Sequence, residues 1–259
     1  HSDSSSLNLL DFLTKLGGQK NEREPKSVSL SHFSLKNFDL GYRDLNRTNP
    51  GAEDSIFRPD YFQFAIHKFL AKDLMLENDS LEMEINGLSG LERYSGLPIN
   101  AFSADFGLYP SAIVLSDFIV ETEQSVIKDS LRLSFSRPQN LTYFKDSVSL
   151  FINFKDAKLA LSDLKYFGEI PVIDEAVQLN GRLNGKLSNL DLKDFSLRTA
   201  SDDMVVFDAA LLGLPKLSET FLDFTIRNAR ITQSRLNLLS DGQLSKIGDL
   251  AFNGSVVGF

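Results

Sequence analysis

The residues that could do chemistry are few. Ser125-Val-Ile-Lys128 has the serine–lysine spacing of an activated nucleophile, in which the amine takes the hydroxyl proton. Its companion motifs are missing, and the four residues open a strand-like alternation instead of a helix. Gly181-Arg-Leu-Asn-Gly185-Lys186 has the flavour of a phosphate-binding loop, but the glycine spacing is wrong and Leu187 stands where Ser or Thr should bind magnesium. Alternating Leu179, Leu183 and Leu187 suggest a strand whose glycines allow bends or close packing. Of three histidines, His1 is terminal, and His32 and His67 sit on the polar side of an apolar alternation. No histidine pair has metal-ligand spacing. Asp202-Asp203 could hold a cation but reads better as an acidic turn. Four tripeptides, at Asn46, Asn78, Asn140 and Asn253, spell glycosylation sequons, which matter only in a secreted eukaryotic protein. No acid–base or nucleophile constellation emerges, so the expectation is a non-enzyme without cofactor or metal.

Composition points to apolar surface. The chain has 259 residues, with 21 Phe against 6 Tyr and no Trp. Phe is the aromatic side chain without a polar handle, suited to a face that meets hydrocarbon. A net charge of -8 argues against nucleic acid and against a polybasic membrane-surface role. Cys is absent, so packing alone must hold the fold. No stretch reaches the roughly 18–20 apolar residues of a membrane span. The N-terminus lacks a start methionine and a signal pattern, His1 reads as a remnant, and the C-terminus stops within an alternation. The expectation is a piece of a longer, repetitive protein, truncated at both ends.

The elements follow from periodicity. Residues 4–16 predict a short helix with Leu9, Leu10, Leu13 and Leu16 on one face, and 17–26 a polar linker. Residues 27–259 form a separate, strand-dominated region. There Val28, Leu30, Phe33, Leu35, Phe38, Leu40 and Tyr42 alternate with phase slips, implying bulges or a tight turn at Lys36-Asn37 that would make a hairpin. Residues 43–61 read as a loop. Further strands are predicted at 62–67, 70–77, 80–87, 99–108, 111–122, 125–135, 146–154, 176–187, 190–199, 204–212 and 217–231, with a last one from Leu250. Residues 136–145 form a break, 158–168 a short amphipathic helix carrying Leu161, Leu164 and Phe167, and 233–247 a mainly helical stretch.

One pattern recurs: apolar, two polar residues, Phe, any residue, apolar. It appears as Leu30-Ser-His-Phe33-Ser-Leu35, Ile66-His-Lys-Phe69-Leu-Ala71, Leu115-Ser-Asp-Phe118-Ile-Val120 and Leu192-Lys-Asp-Phe195-Ser-Leu197. The copies are unevenly spaced, unlike a fixed-period solenoid. They suit an antiparallel sheet that grows hairpin by hairpin, with one apolar and one wet face. Something must cover the apolar face: a second sheet, helices, the sheet's own curl, or a ligand.

The run Leu179-Asn-Gly-Arg-Leu-Asn-Gly-Lys-Leu-Ser-Asn-Leu-Asp-Leu-Lys-Asp-Phe195-Ser-Leu-Arg-Thr199 resembles the AsmA-like superfamily, and within it the TamB-like (translocation and assembly module) proteins of Bacteroidota. Ser103-Ala-Asp-Phe106, Leu115 to Thr122 and the ending Leu244 to Phe259 look the same. The resemblance covers most of residues 27–259. It implies a mainly β fold: a long antiparallel curled sheet, the half-open β-taco groove, with a few short helices. It also implies a periplasmic protein whose full-length form is anchored in the inner membrane and carries phospholipid acyl chains to the outer membrane. Some members are linked to outer-membrane protein assembly. The anchor and the segment that would meet an outer-membrane partner are not in this sequence, so that partner does not carry over. The expected lining is Leu115, Phe118, Val120, Leu131, Leu133, Phe135, Leu183, Leu187, Leu192, Phe195 and Leu197. Alternation alone leaves open whether these line a groove or a sealed core. The other function left open is a scaffold that binds partner strands by β-augmentation.

Overall fold

A computed structural model describes residues 27–43, 56–58, 61–168, 174–201, 203–214, 220–239 and 248–258. The helix and linker expected over 1–26, most of the 43–61 loop and Asp202 lie outside these residues.

Twelve antiparallel strands form one sheet, and their order in the sheet is their order in the chain. They are β1 (Ser27–Arg43), β2 (Tyr61–Glu77), β3 (Ser80–Glu92), β4 (Pro98–Tyr109), β5 (Ala112–Glu121), β6 (Val126–Ser134), β7 (Ser149–Ala160), β8 (Ala176–Lys186), β9 (Asn189–Thr199), β10 (Met204–Leu212), β11 (Phe221–Ile231) and β12 (Leu250–Gly258). Among the described residues the sheet is not closed into a barrel, and β1 and β12 are its edges. Short helical turns, Pro138–Tyr143, Phe144–Ser147, Leu161–Tyr166 and Gln233–Leu239, interrupt the hairpins.

The phase slips in the sequence are bulges. Asn37 takes φ 53 but the chain does not turn back there, and β1 runs on as one 17-residue strand. The hairpin alternative at Lys36-Asn37 is therefore replaced by a bulge. The strands expected at 62–67 and 70–77 are likewise one strand, β2, stepped near His67 and at Asp73 with φ 51. Asp117, Asp156 and Asp194 adopt φ 48, 49 and 55. Asn and Asp tolerate this left-handed backbone better than other residues with a side chain.

Each recurring motif sits on such a step. Two polar residues between two apolar ones would normally send the second apolar residue to the opposite face. The bulge absorbs the extra residue, so Leu115 and Phe118 stay on one face, as do Leu192 and Phe195. The repeat therefore encodes a mid-strand bulge, which at Leu115 and at Leu192 lies in the first strand of the hairpins β5–β6 and β9–β10. One further copy becomes visible, Leu35-Lys-Asn-Phe38-Asp-Leu40, and a variant with Ala in place of Phe, Phe154-Lys-Asp-Ala157-Lys-Leu159, has its own register shift.

The steps line up across the sheet. Phe118 pairs with Asp129, Asp129 with Phe154, Phe154 with Gly181, and Phe195 with Phe207. A bulge bends its strand and tightens its twist, so a row of them creases the whole sheet across its strands. The outer side of the crease is braced by charge. Arg182 pairs with Asp194, and Arg227 reaches Asp194 at 2.9 Å and Asp208 at 3.0 Å. Hydrogen bonds from Arg182, then Arg227, hold the Asp194 carboxyl below the usual carboxylate range.

Two turns are locked by buried carboxylates. Glu92, 1% exposed, accepts the N–H groups of Gln63 (2.9 Å), Tyr94 (3.0 Å) and Ser95 (2.7 Å) and the Ser95 hydroxyl (2.7 Å). Glu92→Ala strands these donors and should cost about 2 kcal/mol, read as a lower urea midpoint. An unchanged midpoint would show that water replaces the carboxylate there. Asp163 accepts the hydroxyls of Thr122 (2.5 Å) and Ser125 (2.6 Å). That anchor turns the polar side of Leu161–Tyr166 inward, so the amphipathic helix expected over 158–168 is instead the end of β7 followed by a 3-10 turn, with Phe167 exposed.

Candidate functional site: the inner face of the sheet

Cross-strand pairs place most of the apolar strand residues on one face, with exposed exceptions such as Met75, Ile119 and Phe151 on the other. Along β5 to β9 that face carries Leu115, Leu131 and Ile152 in one row, then Leu183 and Leu192, with Leu179 on the crease and Leu197 beyond it. The opposite, outer face carries Lys128, Arg132, Asn153, Gln178, Arg182, Asn184 and Lys193 at the alternate positions.

Burial follows the crease. Ile85, Ala104, Phe118, Ala157, Leu179 and Phe195 lie along it and are 0–6% exposed. Leu115, Val120, Leu131, Leu133, Leu183, Leu192 and Leu197 stand on the walls and are half-buried. At the β1 edge Val28, Leu30, Leu35 and Leu40 are 41–52% exposed, and Leu222 and Leu250 near the other edge are 43% and 41% exposed. A buried floor, half-buried walls and open ends describe a trough. Ala157, Leu179 and Phe195 form a floor cluster onto which Leu183 and Leu192 pack from one wall and Ile127 and Leu197 from the other.

Of the eleven expected lining residues, nine occupy this face within strands. Two do not. Phe135 follows β6 and is buried with Leu141 and Val148 beneath the Pro138–Ser147 insertion, so it belongs to a sealed satellite core. Leu187 sits in the β8–β9 turn, because the strand ends at Lys186 and the leucine spacing runs past it. The expectation missed the β1–β4 half, where Phe33 and Phe69 meet edge to face at 6.0 Å. It also missed an aromatic group at the strand ends. Phe57 packs on Phe62, Phe64 and Phe167 with centroids 5.9–6.3 Å apart, and Tyr42 lies 5.6 Å from Phe62. The Tyr42 hydroxyl donates to the Leu141 carbonyl at 2.6 Å. That bond joins the end of β1 to the insertion between β6 and β7, five strands away, so the sheet curls toward its apolar face.

The motifs that suggested chemistry resolve as structure. Ser125 Oγ accepts the Ala160 N–H at 2.9 Å and donates to Asp163, while Lys128 lies on the outer face of β6 opposite Ile119. Gly181 to Lys186 is the middle and end of β8, not a loop. His32 and His67 are exposed. Asp203 accepts the Thr232 N–H at 2.6 Å and pairs with Arg235. No group of three potential metal ligands occurs among the described residues. Nor is any helix among them long and apolar enough to cross a membrane.

No family model, no curated protein and no solved structure matches the chain.

Proposed function

We propose that the trough is a conduit for the acyl chains of phospholipids, consistent with a place in the bacterial periplasm between two membranes. One observation carries this reading: an apolar inner face that runs from strand to strand along the sheet, with a buried floor and exposed leucines at both edges. Adjacent strands lie about 4.8 Å apart, so the trough is about 50 Å long measured across them. Each methylene it covers is worth about 0.8 kcal/mol. Leucine, valine and phenylalanine give no fixed register to a hydrocarbon chain, so many shallow sites replace one deep one. Sliding then needs no reaction and no cofactor.

Chloroform–methanol extraction of the purified chain should yield phospholipid, and stripped protein should take up a fluorescent phosphatidylethanolamine from vesicles. Leu131→Glu and Leu183→Glu place a carboxylate on half-buried wall positions. Both variants should fold with a penalty of about 1–3 kcal/mol and hold several-fold less lipid. The conduit reading fails if stripped protein takes up no lipid, or if folded glutamate variants bind as much as the parent.

A second reading has its own observation. Among the described residues the edge strands β1 and β12 each have a neighbour in the sheet on one side only, the geometry that receives a partner strand by β-augmentation, as in outer-membrane protein assembly. Peptide binding with no lipid uptake would favour it.

A further inference from the structure

The edge strand β1 has a pattern that selects one partner. Against β2 its register runs unbroken from Ser27 to Arg43, except that Ser31 and Asn37 have no paired residue. These two positions are the steps at which the alternation changes phase: Leu30 and Phe33 lie on the inner face across the first, Leu35 and Phe38 across the second. β2 can follow β1 because it steps at the same places. Asp73, with φ 51, falls opposite Ser31, and β2 has a register shift against β3 around His67, opposite Asn37. A strand without matching steps would turn its apolar residues to the wet face beyond each one. The steps therefore select for a partner strand that has matching steps, and an edge with such a requirement is protected from indiscriminate pairing.

The steps lie three residues on either side of Ser34, so β1 read in reverse has them in the same places. We propose that β1 pairs with β1 of a second copy, antiparallel about a two-fold axis at Ser34. Val28 then faces Leu40 of the other copy, Leu30 faces Phe38, and Phe33 faces Leu35, all on the inner face. On the outer face Ser29 meets Asp39 and His32 meets Lys36. Ser31 falls opposite Asn37, so step meets step. The leucines and valine on this strand are 41–52% exposed in the single chain and gain cover by this pairing. β12 is a poorer partner: it has nine residues and a single register shift against β11, where β1 requires two steps six residues apart. A two-fold contact closes on itself and gives a dimer, not a filament. The two troughs become one, about 110 Å long at the same strand spacing. The pairing does not depend on what the trough holds.

The chain has no cysteine, so single-cysteine variants report only themselves. Ser34 is exposed on the outer face. Directly opposed antiparallel residues have Cα atoms about 4.5–5.5 Å apart, within disulfide reach. Ser34→Cys should form a disulfide dimer under mild oxidation. Lys36→Cys alone should not, but an equal mixture of Lys36→Cys and His32→Cys should. The parent chain should sediment as a dimer at tens of micromolar. A monomer at that concentration overturns the proposal, as does Ser34→Cys cross-linking no faster than Ser116→Cys on the outer face of β5. Equal cross-linking of Lys36→Cys alone overturns the register, and a ladder of higher species in sedimentation overturns the two-fold contact in favour of head-to-tail addition.

Discussion

Phe195→Ala is expected to destabilise the chain by about 3–5 kcal/mol. The ring is 6% exposed on the floor of the trough, edge-on to Phe154 at 5.9 Å and against Phe207 at 5.8 Å. It also covers Gly181: a Cβ on that glycine would approach Phe195 Cδ2 to 2.6 Å and Cα to 2.9 Å. Removing the ring opens a cavity that the neighbouring strand cannot fill, because Gly181 holds φ 142, a conformation side chains resist. Gly181→Ala should therefore destabilise both the parent and Phe195→Ala, but the latter by less, since the ring clash is gone. Urea unfolding of the two single variants and the double one measures that coupling. A loss below about 1 kcal/mol for Phe195→Ala would mean that the crease does not depend on this ring.

Arg235→Leu should be nearly as costly, about 3 kcal/mol. The guanidinium follows β11 and pairs with Glu175, just before β8, and with Asp203, just before β10. It thus ties the ends of three strands, with side chains only 6–18% exposed. Its loss leaves two largely buried carboxylates without their cation. The pH dependence separates this from a loss of packing. Burial pushes the Asp203 carboxyl up, but the Thr232 N–H and Arg235 outweigh it, and the net shift is downward. A depressed carboxyl adds stability above its unfolded value near 3.9, and that stability is lost as pH falls through the lower folded value. In Arg235→Leu only Thr232 still favours the charged form, so protonating Asp203, which relieves its burial, costs less than in the parent. The stability gap between variant and parent should therefore narrow below about pH 4. A gap of constant size from pH 7 to 3.5 would assign the loss to packing.

How far these features could be read from sequence depended on which pattern carried them. Alternation in Leu131, Leu133 and Val148 to Ile152 marked strands well, because a half-buried strand has only one way to place its apolar residues. The trough's wall at Leu115, Leu183 and Leu192 was legible for the same reason. The steps were visible as slips at Lys36-Asn37 and in Leu-x-Asp-Phe, but a slip in one strand looks the same whether the chain turns or bulges. Register with the neighbouring strand separates them, and a single sequence does not carry it. Phe135 misled because residues at the end of a strand keep its phase while an insertion folds over them. The Phe57–Phe167 contact joins loops more than a hundred residues apart, and no local pattern encodes it.

Strand order that repeats chain order has a consequence for how the molecule is made. Each strand needs only its immediate predecessor to pair, so almost all backbone pairing is between segments close in sequence, which is unusual for an all-β chain and favours fast closure. The trough can assemble hairpin by hairpin as the polypeptide emerges, with each new strand finding its template already in place. Stability then accumulates as a sum of neighbour terms, as in a linear array, and a hairpin added or deleted between two turns changes the reach of the trough without redrawing its cross-section.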